Sequence, residues 1–130
     1  MKSKIYITGA AGFIGFHAAK KFLDKGIKVH GFDSINDYYD VNLKKSRLNI
    51  LKKYKNFSFT KGLLEKQKLL NQSVLKFKPS IIIHLAAQAG VRYSIDNPDI
   101  YLNSNILGTF NVIKIAHKIK VKHLIIGSSS

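Results

Sequence analysis

The sequence predicts an α/β protein built on a doubly wound parallel sheet with strand order 3-2-1-4-5. Two observations support this fold class. Short apolar runs alternate with helical patterns along the whole chain, and a glycine-rich turn joins the first run to the first helical pattern. Parallel strands need a crossover between them, and the right-handed sense of such crossovers restricts the possible strand orders.

Each element follows from the spacing of its apolar residues. The predicted strands are short apolar or β-branched runs, at Lys4–Thr8, Lys28–Asp33, Phe57–Lys61, 80–85 and 123–127. The predicted helices carry apolar residues three or four positions apart, at 13–25, 42–54, 66–78 and 99–118. Gly26 and Pro79 end the first and third helices. Residues 34–40 and 86–98 are polar or irregular, and we expect loops there.

Composition points to one domain over residues 1–130, predicted to end after strand five of the sheet. The chain has no cysteine, which excludes disulfides and thiolate chemistry. Its five histidines show no metal-ligand spacing, so we expect no metal. There is no signal-peptide pattern and no apolar run of membrane length, so we expect a cytoplasmic protein without a membrane partner.

The net charge is +15, from 22 basic and 7 acidic residues. Eleven basic residues fall within residues 44–78, where Glu65 is the one acid. Because these lysines are not interleaved with aromatic residues, a solvated lysine surface is favoured and no nucleic-acid partner is expected. Attraction of an anion, whether a nucleotide sugar, a nucleic acid or an acidic membrane, stays open as the alternative.

The turn at residues 8–15 has the spacing G-x-x-G-x-x-G, through Gly9, Gly12 and Gly15. A pyrophosphate has to approach backbone N–H groups at the start of a helix, and a Cβ at Gly9 or Gly12 would obstruct the turn or that approach. Gly15 lets the helix pack closely on the sheet. The turn follows a strand and opens an amphipathic helix, which is the context of a Rossmann-type dinucleotide site.

Asp33 follows Gly15 by 18 residues, at the end of the second predicted strand. A carboxylate there accepts hydrogen bonds from the ribose hydroxyls and repels a 2′-phosphate. The position of Asp33 therefore predicts NAD, rather than NADP, as the cofactor.

Several segments, in order and at matching spacing, resemble the extended short-chain dehydrogenase/reductases, the NAD-dependent epimerase/dehydratase family. They are residues 8–15, 31–33, 36–44 (NDYYDVNLK), 84–94 (HLAAQAGVRYS) and 128–130. The stretches 36–44 and 84–94 are most similar to UDP-glucuronate 4-epimerases. A UDP-hexuronate is therefore the expected substrate, in the synthesis of capsule or lipopolysaccharide sugars.

The resemblance implies a set of site residues. Those that match cofactor-binding positions are Gly9, Gly12, Phe13, Ile14, Gly15, Asp33, Asn36, Leu85, Ala86, Ala87, Gln88 and Asn105. Ser130 matches the catalytic Ser/Thr, and Arg92 lies in the loop that faces the sugar. Leu63 replaces an aspartate that usually contacts adenine, so we expect NAD affinity to fall by about 1–2 kcal/mol.

The implied reaction removes hydride from the sugar C4 to NAD and returns it to the other face, with a tyrosine as base and a lysine four residues after it. None of the six tyrosines here has that lysine. We therefore expect these 130 residues, a fragment or a truncated product, to lack epimerase activity, and the last strand to be an apolar edge that promotes self-association. A sugar 4,6-dehydratase fragment, a non-catalytic NAD-binding module and a basic polyanion binder are the alternatives.

Overall fold

The computed structural model describes residues 3–36, 40–87 and 91–128, with the backbone alone at 91–93. Within these residues, five parallel strands form a sheet of order β3-β2-β1-β4-β5, which confirms the predicted fold class. The strands are β1 (Lys4–Thr8), β2 (Lys28–Asp33), β3 (Phe57–Lys61), β4 (Ile81–His84) and β5 (His123–Ile126).

The helices cover both faces of the sheet. They are α1 (Phe13–Asp24), α2 (Val41–Lys52), α3 (Gln67–Phe77), α4 (Val91–Asp96), α5 (Pro98–Tyr101) and α6 (Gly108–Ile119). A π-helical segment, Leu102–Leu107, joins α5 to α6. The first three helices lie within a residue or two of their predicted bounds.

In the last third of the chain one prediction was wrong, and one predicted helix contains a π-helical segment that was not expected. Residues 86–98 were expected to be a loop, but α4 occupies Val91–Asp96. Six residues are too few to show a helical apolar period. The single helix predicted at 99–118 is a continuous run of α5, the π-helical segment and α6. A wider turn inside a helix does not interrupt an apolar pattern read along the sequence.

The alternating side chains of the strands form the two layers of the core. Ile5 and Ile7 pack with α1 and α2 on one face, whereas Tyr6 packs with α3 and α6 on the other. All three side chains are at most 2% exposed. This burial on both faces explains why β1 reads as a continuous apolar run.

The outer strand β5 pairs with β4 along one edge of the described sheet. Its Ile125 and Ile126 are exposed. In the described ranges, no helix combines the length and the apolar character needed to cross a bilayer.

At two positions in the turn between β1 and α1, only glycine fits, because a side chain would collide with the backbone. Gly9 has φ +78°, and a Cβ there would lie 2.8 Å from the Ala86 nitrogen. A Cβ at Gly15 would lie 2.0 Å from the Gly9 carbonyl oxygen. Gly15 was expected to let α1 pack closely on the sheet. In the structure, a side chain at Gly15 is excluded by the backbone of the turn and not by the sheet. Gly12 is less constrained, because its Cβ would lie 3.2 Å from the same oxygen.

We predict that Gly15→Ala lowers the free energy of unfolding by at least about 2 kcal/mol, because the rigid turn cannot yield to a methyl group. Gly26→Ala is the matched control. Gly26 has φ +80° but nothing within 4 Å of its Cβ position. Gly26→Ala should therefore lower the free energy of unfolding by only about 1 kcal/mol, which is the cost of the left-handed backbone conformation for alanine. Urea denaturation measures both changes. Equal destabilisation by the two substitutions would contradict the proposed contact.

Candidate functional site

The turn after β1 presents the N-terminus of α1 at the carboxyl edge of the sheet. The Gly9 N–H donates to the Phe32 carbonyl (2.7 Å), and the Gly12 N–H donates to the Gly9 carbonyl (3.0 Å). Gly12 is the N-cap, and within the described residues of α1 no side chain caps the helix and no acid lies in its first turn. The first N–H groups of a helix lack intrahelical acceptors, so this end of α1 attracts an anion.

The Asp33 carboxylate links the turn to the loop after β2. Its Oδ2 accepts from the Ala11 N–H (3.0 Å), and its Oδ1 accepts from the Ile35 N–H (2.9 Å). A carboxylate oxygen accepts more than one hydrogen bond. Both oxygens therefore retain capacity for the hydroxyls of a bound ligand while the carboxylate itself is held in place.

Ile35 adopts a left-handed backbone conformation, with φ 51°. For a β-branched residue this costs about 1–2 kcal/mol. The hydrogen bond from its N–H to Asp33 stabilises the conformation. Strain of this kind is common in loops that bind ligands, and here it lies next to the carboxylate.

Lys44, on α2, holds the next residue of this loop. It is only 6% exposed, and its Nζ donates to the Asn36 carbonyl (3.0 Å) and to Asn36 Oδ1 (2.7 Å). These bonds offset the cost of burying an ammonium group. The sequence does not reveal this role of Lys44, because its position in the basic run 44–78 does not distinguish it from the solvated lysines.

Arg47 is a second basic residue at the site that the sequence did not reveal. Its Nη1 donates to the Ala11 carbonyl (3.1 Å), and its guanidinium lies 5.9 Å from the centre of the Phe13 ring. Phe13 and Ile14 are 64% and 66% exposed. The first turn of α1 thus presents an apolar surface beside its own N–H groups, with a cation at its margin.

The segment after β4 lies directly against the glycine turn. Thr8 Oγ1 accepts from the N–H groups of Leu85 and Ala86, both at 3.1 Å. The Thr8 carbonyl also accepts from the Leu85 N–H (3.2 Å). Together with the close approach of Gly9 to Ala86, these bonds make one continuous wall from residues 85–87 and the turn.

A buried histidine connects this wall to the helix that follows. Thr8 Oγ1 lies 2.6 Å from Nδ1 of His84, and Nε2 of His84 lies 2.8 Å from Oγ1 of Thr109. Because Thr8 Oγ1 already accepts two N–H groups, its own proton is donated to Nδ1. Nε2 then carries the ring proton and donates to Thr109. Burial lowers the pKa of His84 to about 4, so the ring is neutral at physiological pH.

Asn105 lies on the π-helical segment and lines a cavity of about 170 Å³. The other residues that line it are His84, Leu85, Ala86, Ala87, Thr109, Ile126 and Gly127. π-Helical turns are frequent at functional sites. The structure therefore brings Asn105 to the same cavity as residues 85–87.

Some predicted site residues stay untested. Gln88 and Ser130 lie outside the described residues, and Arg92 is described only as backbone of α4. Leu63 is 44% exposed and follows Gly62, whose N–H donates to the Asp33 carbonyl (3.1 Å), so it lies beside the end of β2. Among the described residues, no group of three or more metal-ligating side chains is found.

The parallel sheet, the uncapped helix N-terminus and the carboxylate at the end of β2 define a dinucleotide-binding domain of the Rossmann type. Residues 6–130 match the family model described as GDP-mannose 4,6 dehydratase, so the chain belongs to this family of extended short-chain dehydrogenases/reductases, the NAD-dependent epimerases and dehydratases.

The chain is similar to curated proteins of bacteria. It is 47% identical over 124 residues to a probable UDP-glucuronate 4-epimerase of Rhizobium meliloti, covering 95% of this chain and 36% of that protein. It is 49% identical over 127 residues to the protein CapI of Staphylococcus aureus, covering 98% of this chain and 38% of CapI. The chain thus spans less than two fifths of the length of these relatives.

Two solved structures show the same fold. The UDP-glucose 4-epimerase of Thermotoga maritima with UDP-glucose has a TM-score of 0.83 and 29% identity, over 97% of this chain and 38% of that one. The UDP-glucose 4-epimerase of Thermus thermophilus in complex with NAD has a TM-score of 0.79 and 26% identity, over 93% of this chain and 36% of that one.

We predict that acid destabilises the fold through its buried histidines. The pKa of His84 is about 4 in the folded chain against 6.5 for a free histidine, so the unfolded chain binds more protons between these values. The stability that the neutral His84 ring contributes is therefore fully present above pH 6.5 and is lost as the pH falls toward 4. The loss is on the order of 3 kcal/mol for this residue.

His84→Gln removes this contribution. Urea denaturation between pH 4.5 and 7 should show a smaller rise of unfolding free energy with pH in the variant. His17→Gln, at an exposed histidine of α1, is the control and should leave the pH dependence as in the parent chain. A pH dependence that is the same in His84→Gln and the parent would show that His84 is not held neutral by burial.

Proposed function

We propose that the chain binds NAD in the crevice formed by the glycine turn, the loop after β2 and residues 85–87. The observation that carries this proposal is the Asp33 carboxylate, which is held beside the uncapped N-terminus of α1 with acceptor capacity remaining on both oxygens. The fit is also steric, because side chains at Gly9 and Gly15 would fill the space that the turn needs. The bound NAD of the Thermus thermophilus relative supports the same assignment.

In this proposal each part of the crevice has a separate role. The N–H groups at the start of α1 hold the pyrophosphate, Asp33 accepts from the adenosine ribose, and Asn36 borders the adenosine. The residues proposed to contact the cofactor are Gly9, Gly12, Phe13, Ile14, Gly15, Asp33, Asn36, Leu85, Ala86, Ala87, Gln88 and Asn105. Residues 85–87 and Asn105 would face the redox-active half, because residues 85–87 follow β4, which lies on the other side of β1 from β2 and Asp33.

We further propose that the protein is a nucleotide-sugar 4-epimerase that interconverts UDP-glucuronate and UDP-galacturonate. The similarity to the relative of Rhizobium meliloti, and the UDP-glucose in the Thermotoga maritima structure, support this substrate class. When bound, NAD supplies reversible acceptance of hydride from the sugar C4. In this chain, Ser130 would hydrogen-bond the reacting oxygen, and Arg92 would bind an acidic group of the sugar nucleotide.

A 4,6-dehydratase is the second candidate, and the description of the matching family model favours it. Both reactions begin with oxidation at C4, so the crevice described above serves either. Assay of the complete protein with UDP-glucuronate and with GDP-mannose separates them: a C4 epimer indicates the first enzyme and a 4-keto-6-deoxy sugar indicates the second.

The cofactor proposal predicts that calorimetric titration shows saturable NAD binding, with weaker binding of NADP. Asp33→Asn preserves the size of the side chain but removes its charge. It should weaken NAD binding about tenfold and reduce the discrimination against NADP. Asp24→Asn, at an exposed aspartate that pairs with Lys20 on α1, is the control and should behave as the parent chain. A ratio of NAD to NADP affinity that Asp33→Asn leaves unchanged would contradict the role of Asp33.

We also propose that these 130 residues self-associate through β5, because its exposed Ile125 and Ile126 lie on an outer strand. Light scattering coupled to size exclusion should give a mass that rises with concentration. Ile125→Lys should restore the monomer, and Ile50→Lys, at a similarly exposed isoleucine of α2, should not. A monodisperse monomer for the parent chain at all concentrations would refute the proposal.

A further inference from the structure

A second concave site lies between β3 and α3. Its lining includes Lys4 and Lys28, the first residues of β1 and β2, and runs along β3 as far as Thr60. It is a groove of about 460 Å³, and Lys4, Lys28, Lys55 and Lys76 are among the residues that line it. The glycine turn begins where β1 ends, at the other end of that strand from Lys4. None of the residues assigned above to the cofactor or the sugar lines this groove.

The described lining of the groove carries basic and polar side chains. Its lining includes no aspartate or glutamate, and in the described part of the chain the ion pair that is found joins Lys20 to Asp24 on α1. Lys4 and Lys28 are direct neighbours in the register of β1 and β2. Adjacent strands lie about 5 Å apart, so these cations repel each other unless an anion lies between them.

Lys4 is held in place at the end of the groove. Its Nζ donates to the Phe77 carbonyl (3.0 Å) and lies 5.4 Å from the centre of the Phe77 ring. One of the four cations is therefore ordered before any ligand binds, which reduces the entropy lost on binding.

The floor of the groove supplies a hydroxyl donor. His30 is 8% exposed, and its ring nitrogens lie 2.6 Å from Ser58 Oγ and 2.8 Å from Thr60 Oγ1. Burial, and then the charge of Lys76, lower the pKa of His30 to about 4. The neutral ring has one N–H, so one hydroxyl donates to the ring and the other accepts from it. The hydroxyl that accepts keeps its own proton for a ligand.

We propose that this groove binds a small polyphosphate anion, either inorganic pyrophosphate or the di- or triphosphate group of a nucleotide. The four cations come from β1, β2, the turn before β3, and α3, and together they match more than one phosphate group. The hydroxyl on the floor is a donor without charge. The groove has the volume of a small-molecule site. Neither the glycine turn nor Asp33 is part of its lining, although Thr60 in the lining pairs with Phe32, the residue before Asp33.

The test uses inorganic pyrophosphate, with calorimetry and NMR of the histidine rings. The proposal predicts saturable binding that shifts the ring resonances of His30, whether or not pyrophosphate also binds at the start of α1. His84 is an internal control, because it is equally buried but contacts Thr8 at the glycine turn. A shift at His84 alone would place pyrophosphate at the glycine turn and overturn the proposal.

Lys76→Gln should weaken pyrophosphate binding about tenfold. Lys21→Gln is the matched control, because both lysines lie in the last turn of a helix and Lys21 is on the other face of the sheet. Lys55→Gln, outside any helix or strand, should weaken binding without affecting the fold of α3. Equal affinities of the Lys76 and Lys21 variants, or tighter binding of a DNA duplex that displaces pyrophosphate, would overturn the proposal.

Discussion

The close approach of the Gly9 backbone to Ala86 is the constraint on which the rest of the site depends. A Cβ at Gly9 would lie 2.8 Å from the Ala86 nitrogen, and one at Gly15 would lie 2.0 Å from the Gly9 oxygen. The Gly9 backbone therefore packs on the backbone of Ala86 on one side and on that of Gly15 on the other. These contacts bring the start of α1 and the segment after β4 to one crevice. Larger residues at either glycine would separate these two walls, so the requirement for glycine is a property of the site as well as of the turn.

Hydrogen bonds fix this arrangement more firmly than packing alone. Thr8 accepts from the Leu85 and Ala86 N–H groups and donates to His84, which in turn donates to Thr109. This chain crosses from β1 through β4 to α6, the helix that continues the π-helical segment of Asn105. A neutral ring is necessary, because a protonated His84 has no acceptor for the Thr8 proton. Low pH therefore acts on the crevice and on the fold through the same residue.

Local pattern was sufficient to predict the strands and the position of the glycine turn between β1 and α1. The bounds of β1, β2 and β3 match their predictions. β1 and β2 are mostly buried and end at a polar residue, whereas β3 is an outer strand whose apolar and polar residues alternate. Asp33 was found from its distance to Gly15. The roles of His84, Lys44 and Arg47 depend on partners far away in sequence, and no local pattern marks them. The groove beside α3 was missed for the same reason, because its lysines are spread over more than 70 residues.

The central claim is that the dinucleotide lies across the turn, the Asp33 loop and residues 85–87. The most direct test is to map the backbone amides of the chain by NMR while NAD is added. We expect the amide resonances of Ala11, Ile35 and Ala86 to shift together and to saturate at one NAD concentration, whereas those of Ser58 and Lys76 do not move. Shifts confined to the groove beside α3, with the turn unchanged, would contradict it.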